Sequence, residues 1–340
     1  MPSCAQIFNL RTRTQLGRNN RGKSSLTKTM KQHRSIYRAI LALVIFFGVC
    51  FCFQGLAQSQ DSFAPNRITL GLVSASQQLE IREYFEPFVT YVARKIFAAP
   101  GAQGKVLVVS SLPELARLLE QKGVDFYMES PYPTYVINQV HGAGRVLLRR
   151  WKGGLAEYRS LIVTAKDGGI DRLESLRGTK IAFEDPESTS GYFLPKFFLQ
   201  RNGFKLSPVT DNTAQPSPAA ISYMFAGTTD KVLDFVLARQ VSAGAMSDDD
   251  FSLLEPQKKD RLNVLAQTDL LPRHLVSVRK DLSQEASERL AAVLQAMHED
   301  TTGRQILSKM DNTMKFDNLP GGEEAMRRRL LDTFFDPQRR

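Results

Sequence analysis

Three consecutive hydroxyl residues stand in the stretch FEDPESTSGYFLP, Phe183–Pro195. Ser188, Thr189 and Ser190 precede Gly191 and an apolar helical pattern. One capping side chain is enough for a helix start, so two hydroxyls are spare. Hydroxyls and free N–H groups at a helix start can bind the oxygens of a small oxyanion without Lys, Arg or metal, and glycine permits close backbone approach. The stretch predicts an oxyanion-binding loop; the alternative is a polar loop with a redundant cap.

Two later turns also place polar side chains before helical patterns. Thr228 and Thr229 precede an apolar helix, although Thr228 or Asp230 could serve only as its N-cap. Asp248 opens a run of three aspartates after a predicted strand, so the run should begin at the carboxyl end of the sheet. Both turns are candidate binding segments. Adjacent aspartates at a helix start are also typical of solvated caps, and we expect no metal there.

A fourth candidate segment contains Glu129, Ser130 and Tyr132, after the third predicted strand. A carboxylate in an anion site repels an unprotonated ligand, so Glu129 must contact an amine, hold a proton or point away. Tyr132 and Tyr158 are candidate ligand walls, or equally core aromatic residues.

Strand and helix patterns alternate along the chain that positions these residues. The predicted strands are 67–73, 105–109, 124–128, 145–151, 159–165, 180–183 and 241–246, with extended segments at 263–267 and 274–278. Helical patterns lie between them and cover 283–297 and 323–335. This alternation predicts an α/β fold with a largely parallel sheet. The polar stretch 210–219 is predicted to be a loop.

The basic composition has a local origin. The chain of 340 residues has 45 Lys and Arg, 35 Asp and Glu, and a formal charge of +10. Residues 1–57 hold nine of the basic residues and no acidic residue, which leaves 36 basic and 35 acidic residues in 58–340. A nucleic-acid-binding function based on charge is therefore excluded.

The basic segment has the pattern of a secretory signal peptide, residues 1–57. The uncharged run Ala39–Phe53 is followed by small residues at Gly55 and Ala57, and Met30 is a candidate for the true start. The alternative is an uncleaved membrane anchor, but fifteen residues fall short of the roughly 20 needed to span a bilayer. The three cysteines, Cys4, Cys50 and Cys52, lie in this segment, so the mature chain would form no disulfide. An exported chain of this kind fits the bacterial periplasm.

Four stretches resemble the phosphate/phosphite/phosphonate-type periplasmic binding proteins of ABC transporters. They read RITLGLV, VDFYMESPYPTYV, YRSLIVTAKDGGIDRLESLRGTKIAFEDPESTSGYFLP and MFAGTTDKVLDFVLARQVSAGAMSDDDF, and the resemblance covers about 67–282. The resemblance implies a two-lobe, type II periplasmic-binding-protein fold with a ligand cleft between the lobes. Lobe 1 would comprise 58–160 and 275–340, and lobe 2 would comprise 161–274.

The resemblance also implies a function. The chain would be an exported monomer, without a cofactor, that captures phosphate, phosphite or a phosphonate for an ABC permease. Relatives often carry His at the position of Thr229 and Gly-Pro near Glu129, and an acidic residue at the position of Asp248 can contact a ligand amine. One alternative is a sensor that signals to a histidine kinase. Another is a hydrolase using Ser190, although the chain has no G-x-S-x-G motif.

Overall fold

The computed structural model describes residues 62–209 and 218–335. The predicted signal peptide and most of the predicted loop 210–219 lie outside these residues. Within the described ranges, no helix has both the length and the apolar character that a membrane span requires.

The first six-stranded sheet has the order β14-β4-β13-β3-β1-β2. Its strands are β1 (Arg67–Val73), β2 (Gln103–Val109), β3 (Phe126–Glu129), β4 (Gly144–Arg150), β13 (His274–Arg279) and β14 (Phe316–Asp317). The first three pair in parallel, whereas β13 runs antiparallel to both β3 and β4. Together with the helices packed on it, this sheet forms the first lobe.

The second six-stranded sheet has the order β11-β6-β10-β7-β9-β8. Its strands are β6 (Ser160–Ala165), β7 (Lys180–Phe183), β8 (Leu206–Pro208), β9 (Ile221–Phe225), β10 (Ala243–Ser247) and β11 (Leu262–Gln267). Strands β7 to β10 pair in parallel, and β6 is antiparallel to its neighbours β10 and β11. This sheet and its helices form the second lobe.

Two chain segments connect the lobes. The first leaves β4 and the second enters β13, and each contains a short strand, β5 (Glu157–Tyr158) and β12 (Leu271–Pro272). These two strands pair antiparallel and form a two-stranded ribbon. The chain therefore crosses between the lobes along neighbouring segments, which is the arrangement that a hinge requires.

Ten α-helices are present in the described residues. They are α1 (Gln78–Phe97), α2 (Leu112–Glu120), α3 (Pro131–Tyr135), α4 (Leu194–Arg201), α5 (Thr229–Leu237), α6 (Asp248–Ser252), α7 (Pro256–Lys259), α8 (Gln284–Ala296), α9 (Thr301–Lys309) and α10 (Gly322–Phe334). Helix α3 continues as a π-helical segment, Val136–Val140, and a second π-helical segment, Thr189–Phe193, leads into α4.

The apolar cores follow this division, with one cluster shared between the lobes. In the shared cluster, Leu275 and Phe334 of the first lobe lie with Phe193 and Leu194 of the second. Tyr132 stacks on Phe193 with an interplanar angle of 15°. Apolar contacts therefore join the lobes beside the cleft.

The α/β prediction is confirmed, and the main predicted strands and helices are present within a few residues of their predicted bounds. The prediction of a largely parallel sheet is wrong. Both sheets are mixed, because β6 and β13 lie next to the crossings between the lobes and run against their neighbours.

Candidate functional site

A cavity of about 390 Å³ lies between the lobes. Its lining comprises Val73, Leu112, Glu129, Ser130, Pro133, Lys152, Tyr158, Glu184, Asp185, Glu187, Ser188, Thr189, Ser190, Asp250, Arg273 and His274. A larger groove of about 870 Å³ runs between α4 and α10, but it contains none of the predicted site residues. The smaller cavity is the candidate ligand site, because four polar segments of the two lobes converge there.

The turn after β7 contains the three consecutive hydroxyl residues of the stretch Phe183–Pro195. Ser188 is the N-cap, and its Oγ accepts a hydrogen bond from the Gly191 N–H at 2.9 Å. Pro195 has no N–H to donate to the Gly191 carbonyl, which instead accepts from the Glu184 N–H at 3.1 Å. The Phe193 N–H bonds five residues back to the Ser188 carbonyl, so the turn is a π-helix. We call residues Ser188–Phe193 the hydroxyl turn.

The hydroxyls of Ser188 and Thr189, two of the three in this turn, have protein partners. Ser188 Oγ donates to Glu184 Oε2 at 2.7 Å. Thr189 is 2% exposed, and its Oγ1 lies 2.9 Å from Ser130 Oγ and accepts from the Tyr132 N–H at 3.0 Å. Since Ser130 and Tyr132 belong to the first lobe, Thr189 links the two lobes across the cleft.

Gly191 is required by packing against the protein itself. A Cβ at this position would lie 2.5 Å from Glu184 Cβ and 2.7 Å from Ser188 Oγ. Gly191 does not line the cavity. Its small size therefore allows Glu184 to lie under the hydroxyl turn, and close approach to a ligand remains a prediction.

Thr228 and Thr229 lie one strand away, and neither lines the cavity. Thr228 is the N-cap of α5 and accepts from the Lys231 N–H at 3.3 Å. Thr229 Oγ1 donates to Glu184 Oε1 at 3.0 Å. Glu184 thus ties the turn of Thr228 and Thr229 to the hydroxyl turn.

Asp248 also lies outside the cavity lining. Its Oδ1 accepts from the Arg159 N–H at 3.1 Å, and its Oδ2 lies 3.8 Å from Arg159 Nε. Asp250, two residues later, does line the cavity and accepts from Ser247 Oγ at 2.6 Å.

The two predicted tyrosines have different environments. Tyr132 packs on Phe193 and Phe334 and does not line the cavity. Tyr158 is 1% exposed, lines the cavity and carries the Arg273 guanidinium 4.6 Å from its ring centre. Burial raises the pKa of Tyr158 to about 12, against the lowering effects of Arg273 and of hydrogen bonds to Thr189 and Ser190. Tyr158 is therefore a wall between the hydroxyl turn and Arg273.

The basic residues that line the cavity were not predicted from the sequence. Lys152 and Arg273 line it together with His274, and the buried Arg150 lies beside them. Register explains the cluster, because antiparallel pairing of β4 with β13 sets Arg150 opposite His274. The available signal was the run Arg149–Lys152 at the end of a predicted strand and Arg273-His274 at the start of another. Without the strand order, these segments could not be placed together.

Acidic residues outnumber basic residues in the lining. Among its described members are Glu129, Glu184, Asp185, Glu187 and Asp250, against Lys152 and Arg273. Burial raises the pKa of Glu129 to about 7, and the negative charge of Glu187 adds to the shift. Hydrogen bonding from the Ser130 N–H and the positive charges of Lys152 and Arg150 oppose it. This carboxyl therefore keeps its proton to a higher pH than an exposed glutamate does.

Within the described ranges, no group of three or more His, Cys, Asp or Glu side chains is arranged to hold a metal ion.

The fold and the site define a two-lobe binding protein of the type II periplasmic class. Residues 70–319 match the family described as "ABC transporter, phosphonate, periplasmic substrate-binding protein". Since the match covers most of the chain, the protein belongs to this family. It is the substrate-binding component of an ABC importer for phosphonate-type ligands.

Named relatives show the same relationship. The chain is 23% identical over 274 residues to the phosphate-import protein PhnD of Mycolicibacterium smegmatis, covering 77% of this chain and 81% of that protein. It shares its fold with XAC2383 from Xanthomonas citri bound to ATP, with a TM-score of 0.71, 24% identity and coverage of 79% and 99%. PhnD1 from Prochlorococcus marinus in complex with methylphosphonate has a TM-score of 0.56, 16% identity and coverage of 78% and 99%.

Proposed function

We propose that this protein captures a small phosphorus oxyanion, namely phosphate, phosphite or a phosphonate, and delivers it to an ABC permease. Family membership gives the transport class. A relative is named a phosphate-import protein, and a protein of the same fold was solved with methylphosphonate. Both ligands contain a tetrahedral phosphorus group.

The observation that carries the proposal is the position of the hydroxyl turn. Ser188, Thr189 and Ser190 line a cavity between lobes that two neighbouring segments connect. The first N–H groups of a helical segment have no partner within it, so those at the start of Thr189–Phe193, apart from the Gly191 N–H that Ser188 Oγ accepts, could donate to a bound anion. These donors match the several acceptor oxygens of a tetrahedral oxyanion.

The intramolecular bonds of the turn fit a binding role. Thr189 bonds to Ser130 and Tyr132, so the lobes already touch beside the cavity. We propose that an oxyanion replaces or joins these contacts as the lobes close. The proposed lobe boundaries are 58–160 with 275–340, and 161–274. Glu129, Ser130 and Tyr158 complete the proposed ligand contacts, with Tyr132, Gly191, Thr228, Thr229 and Asp248 in supporting positions.

A thermal-shift screen of residues 58–340 tests the ligand class. Phosphate, phosphite, methylphosphonate and aminoethylphosphonate are compared with sulfate and acetate. A ligand at 100 times its dissociation constant stabilises the folded state by about 2.7 kcal/mol. We expect such a shift with at least one phosphorus oxyanion and none with acetate. A shift with acetate alone would contradict the proposal.

The proposal includes export by a signal peptide cleaved after Ala57, so that the mature monomer works in the periplasm. N-terminal sequencing of the exported protein should then begin at Gln58. Recovery of the protein from membranes with the run Ala39–Phe53 intact would show an anchor instead.

We propose no catalytic role, and we expect no turnover of a generic ester. The proposed partner is a permease, since the family is a transport family.

A further inference from the structure

Lys152 and Arg273 are the two basic side chains of the Lys and Arg type among the described residues that line the cavity. Lys152 follows β4 on the first segment that connects the lobes, and Arg273 precedes β13 on the second. The pairing of Arg150 with His274 brings the two segments together. The pair therefore belongs to the crossing region and not to either sheet.

Lys152 shares its carboxylate partner, Asp311, with the buried Arg150. Lys152 Nζ lies 3.6 Å from Asp311 Oδ2, and Arg150 Nη2 binds that same oxygen at 2.8 Å. Burial lowers the pKa of Lys152 and the positive charges of Arg273 and Arg150 lower it further, despite the opposing effect of Asp311. One carboxylate thus serves two cations, and an anion near Lys152 would relieve their mutual repulsion.

Arg273 has a fixed orientation. Its Nε donates to Asp249 Oδ2 at 2.6 Å, and its guanidinium stacks on Tyr158. A guanidinium has five N–H groups, so the Asp249 bond leaves others for a ligand. Stacking and pairing hold the group in one place, which favours recognition of a planar or multi-oxygen anion.

His274 adds a polar atom that lacks a partner on the same wall. The residue is 8% exposed and lines the cavity, and its Nδ1 is buried with no hydrogen-bond partner. Buried polar atoms normally have a partner. Burial and the nearby charges of Arg150, Lys152 and Arg273 lower the pKa of His274 well below its usual value, so the imidazole is neutral.

The cavity has room for more than one tetrahedral group. Its volume of about 390 Å³ is within the range of roughly 300–1,000 Å³ that accommodates drug-sized ligands. A phosphate ion has only five non-hydrogen atoms. Tyr158 separates the hydroxyl turn from Arg273, with Thr189 and Ser190 at its hydroxyl and the guanidinium on its ring face. The donors therefore form two groups, one at the hydroxyl of Tyr158 and one on the face of its ring.

We propose that the ligand carries a second anionic group, carboxylate or phosphoryl, which Lys152 and Arg273 bind while the hydroxyl turn binds the tetrahedral phosphorus group. This inference rests on the proposed function, because it assumes the tetrahedral group at the hydroxyl turn. The carboxylates of Glu184 and Asp250 are already bonded to hydroxyls of Ser188 and Ser247. The second group lies toward the crossing segments, where the cations are.

Titration calorimetry with three probes tests this inference. Methylphosphonate has one anionic group, phosphonoacetate adds a carboxylate, and pyrophosphate adds a phosphoryl group. The chain is studied as wild type and as Lys152→Gln, with Lys152→Arg as the charge-retaining variant. Lys166→Gln is the matched control, since Lys166 is exposed and outside the cavity lining. Unchanged melting temperatures establish that the variants are folded.

We expect the wild type to bind phosphonoacetate or pyrophosphate at least about tenfold more tightly than methylphosphonate. Lys152→Gln should remove this preference and change methylphosphonate affinity by less than about threefold. Lys152→Arg should restore much of the preference, and Lys166→Gln should have no effect. Which larger probe binds identifies the second group as carboxylate or phosphoryl.

Two results would overturn the second anionic subsite while leaving the proposed function intact. One is a wild type that prefers methylphosphonate. The other is a Lys152→Gln variant that weakens all three probes equally, because Lys152 would then contact the tetrahedral group itself. A wild type that binds none of these probes, nor phosphate or phosphite, would instead contradict the proposed function, and the inference would fall with it.

Discussion

The turns after β7 and after β9 both place hydroxyl side chains at a helix start in the second lobe. In the hydroxyl turn, Ser188 is the cap and Thr189 reaches the first lobe. In the turn before α5, Thr228 is the cap and Thr229 bonds back to Glu184. Only the first of these two turns lines the cavity.

Strand order explains the difference. β7 lies between β10 and β9, whereas β9 has the edge strand β8 as its other neighbour. The turn after β7 is therefore closer to β6 and β11, the two strands that join the crossing segments. Two turns with similar composition thus differ in position by one strand, and one strand spacing of about 4.8 Å is enough to remove direct contact with a small ligand.

The largest expected effect distinguishes the glycines of the two turns. Gly191→Asp should abolish measurable binding, a loss of at least about 100-fold, because a Cβ there meets Glu184 and Ser188 Oγ and displaces the hydroxyl turn from the cavity. Gly227→Asp is the control, since a Cβ at Gly227 meets no atom within 4 Å. Its φ of 90° makes the substitution strained, so stability should fall by about 1–3 kcal/mol with affinity retained.

Titration calorimetry measures the affinity of both variants, and thermal melts measure their stability. Wild-type affinity in Gly191→Asp would show that the hydroxyl turn does not hold the ligand. An equal loss of affinity in Gly227→Asp would remove the distinction between the turns.

Substitutions of the hydroxyl residues should show the same contrast between the two turns, with affinity lost in the hydroxyl turn and stability lost in the turn before α5. If Thr189 and Ser190 bind the ligand as proposed, Thr189→Ala and Ser190→Ala each remove a hydrogen bond to a charged oxygen, worth about 1.5–3 kcal/mol, so affinity should fall roughly 10- to 150-fold. Thr228→Ala removes a cap and should cost about 1 kcal/mol of stability with little change in affinity. The reverse pattern, with affinity lost at Thr228 and kept at Ser190, would exchange the roles of the two turns.

The sequence was sufficient for the fold class, because alternating periodicity identified the strands. Ser188, Thr189 and Ser190 line the cavity, and oxyanion binding by them stays a prediction. The basic side of the cavity was not predictable. Lys152 and Arg273 are far apart in sequence and become neighbours only through the antiparallel pairing of β4 with β13. Local patterns carry information on local turns, whereas pairings between distant strands depend on the whole fold.

The raised pKa of Glu129 predicts how the stability of the protein depends on pH. The folded state raises the pKa of Glu129 from 4.5 to about 7, so folding favours its protonated form. Stability is therefore lost as pH rises from about 4.5 through 7. Each pKa unit of this rise corresponds to about 1.36 kcal/mol of folding free energy. We expect a total loss of stability of about 1–2 kcal/mol, because the Glu129 side chain is only partly buried and solvent reduces the effect.

Glu129→Gln should remove this loss, because the amide is neutral at every pH. The variant should match the wild type near pH 4 and exceed its stability at pH 8, as measured by denaturant titration. The charges of Lys152, Glu187 and Arg150 act on the Glu129 carboxyl, and only a change confined to the interval between pH 4.5 and 7 identifies Glu129. Parallel curves for the two proteins would contradict the assignment.

The smallest expected effect concerns the third helix start, at Asp248. This carboxylate accepts from the Arg159 N–H and lies near Arg159 Nε, outside the cavity lining. Asp248→Asn retains an acceptor oxygen and removes a partly exposed ion pair, which is worth about 0.2–1 kcal/mol. We therefore expect a change in affinity of less than about twofold for methylphosphonate and for aminoethylphosphonate. Asp250→Asn is the matched comparison, because Asp250 lines the cavity two residues later. A loss of tenfold or more at Asp248, confined to the ligand with an amine, would instead show that this turn moves into the cleft when the lobes close, and it would restore the contact expected from the sequence.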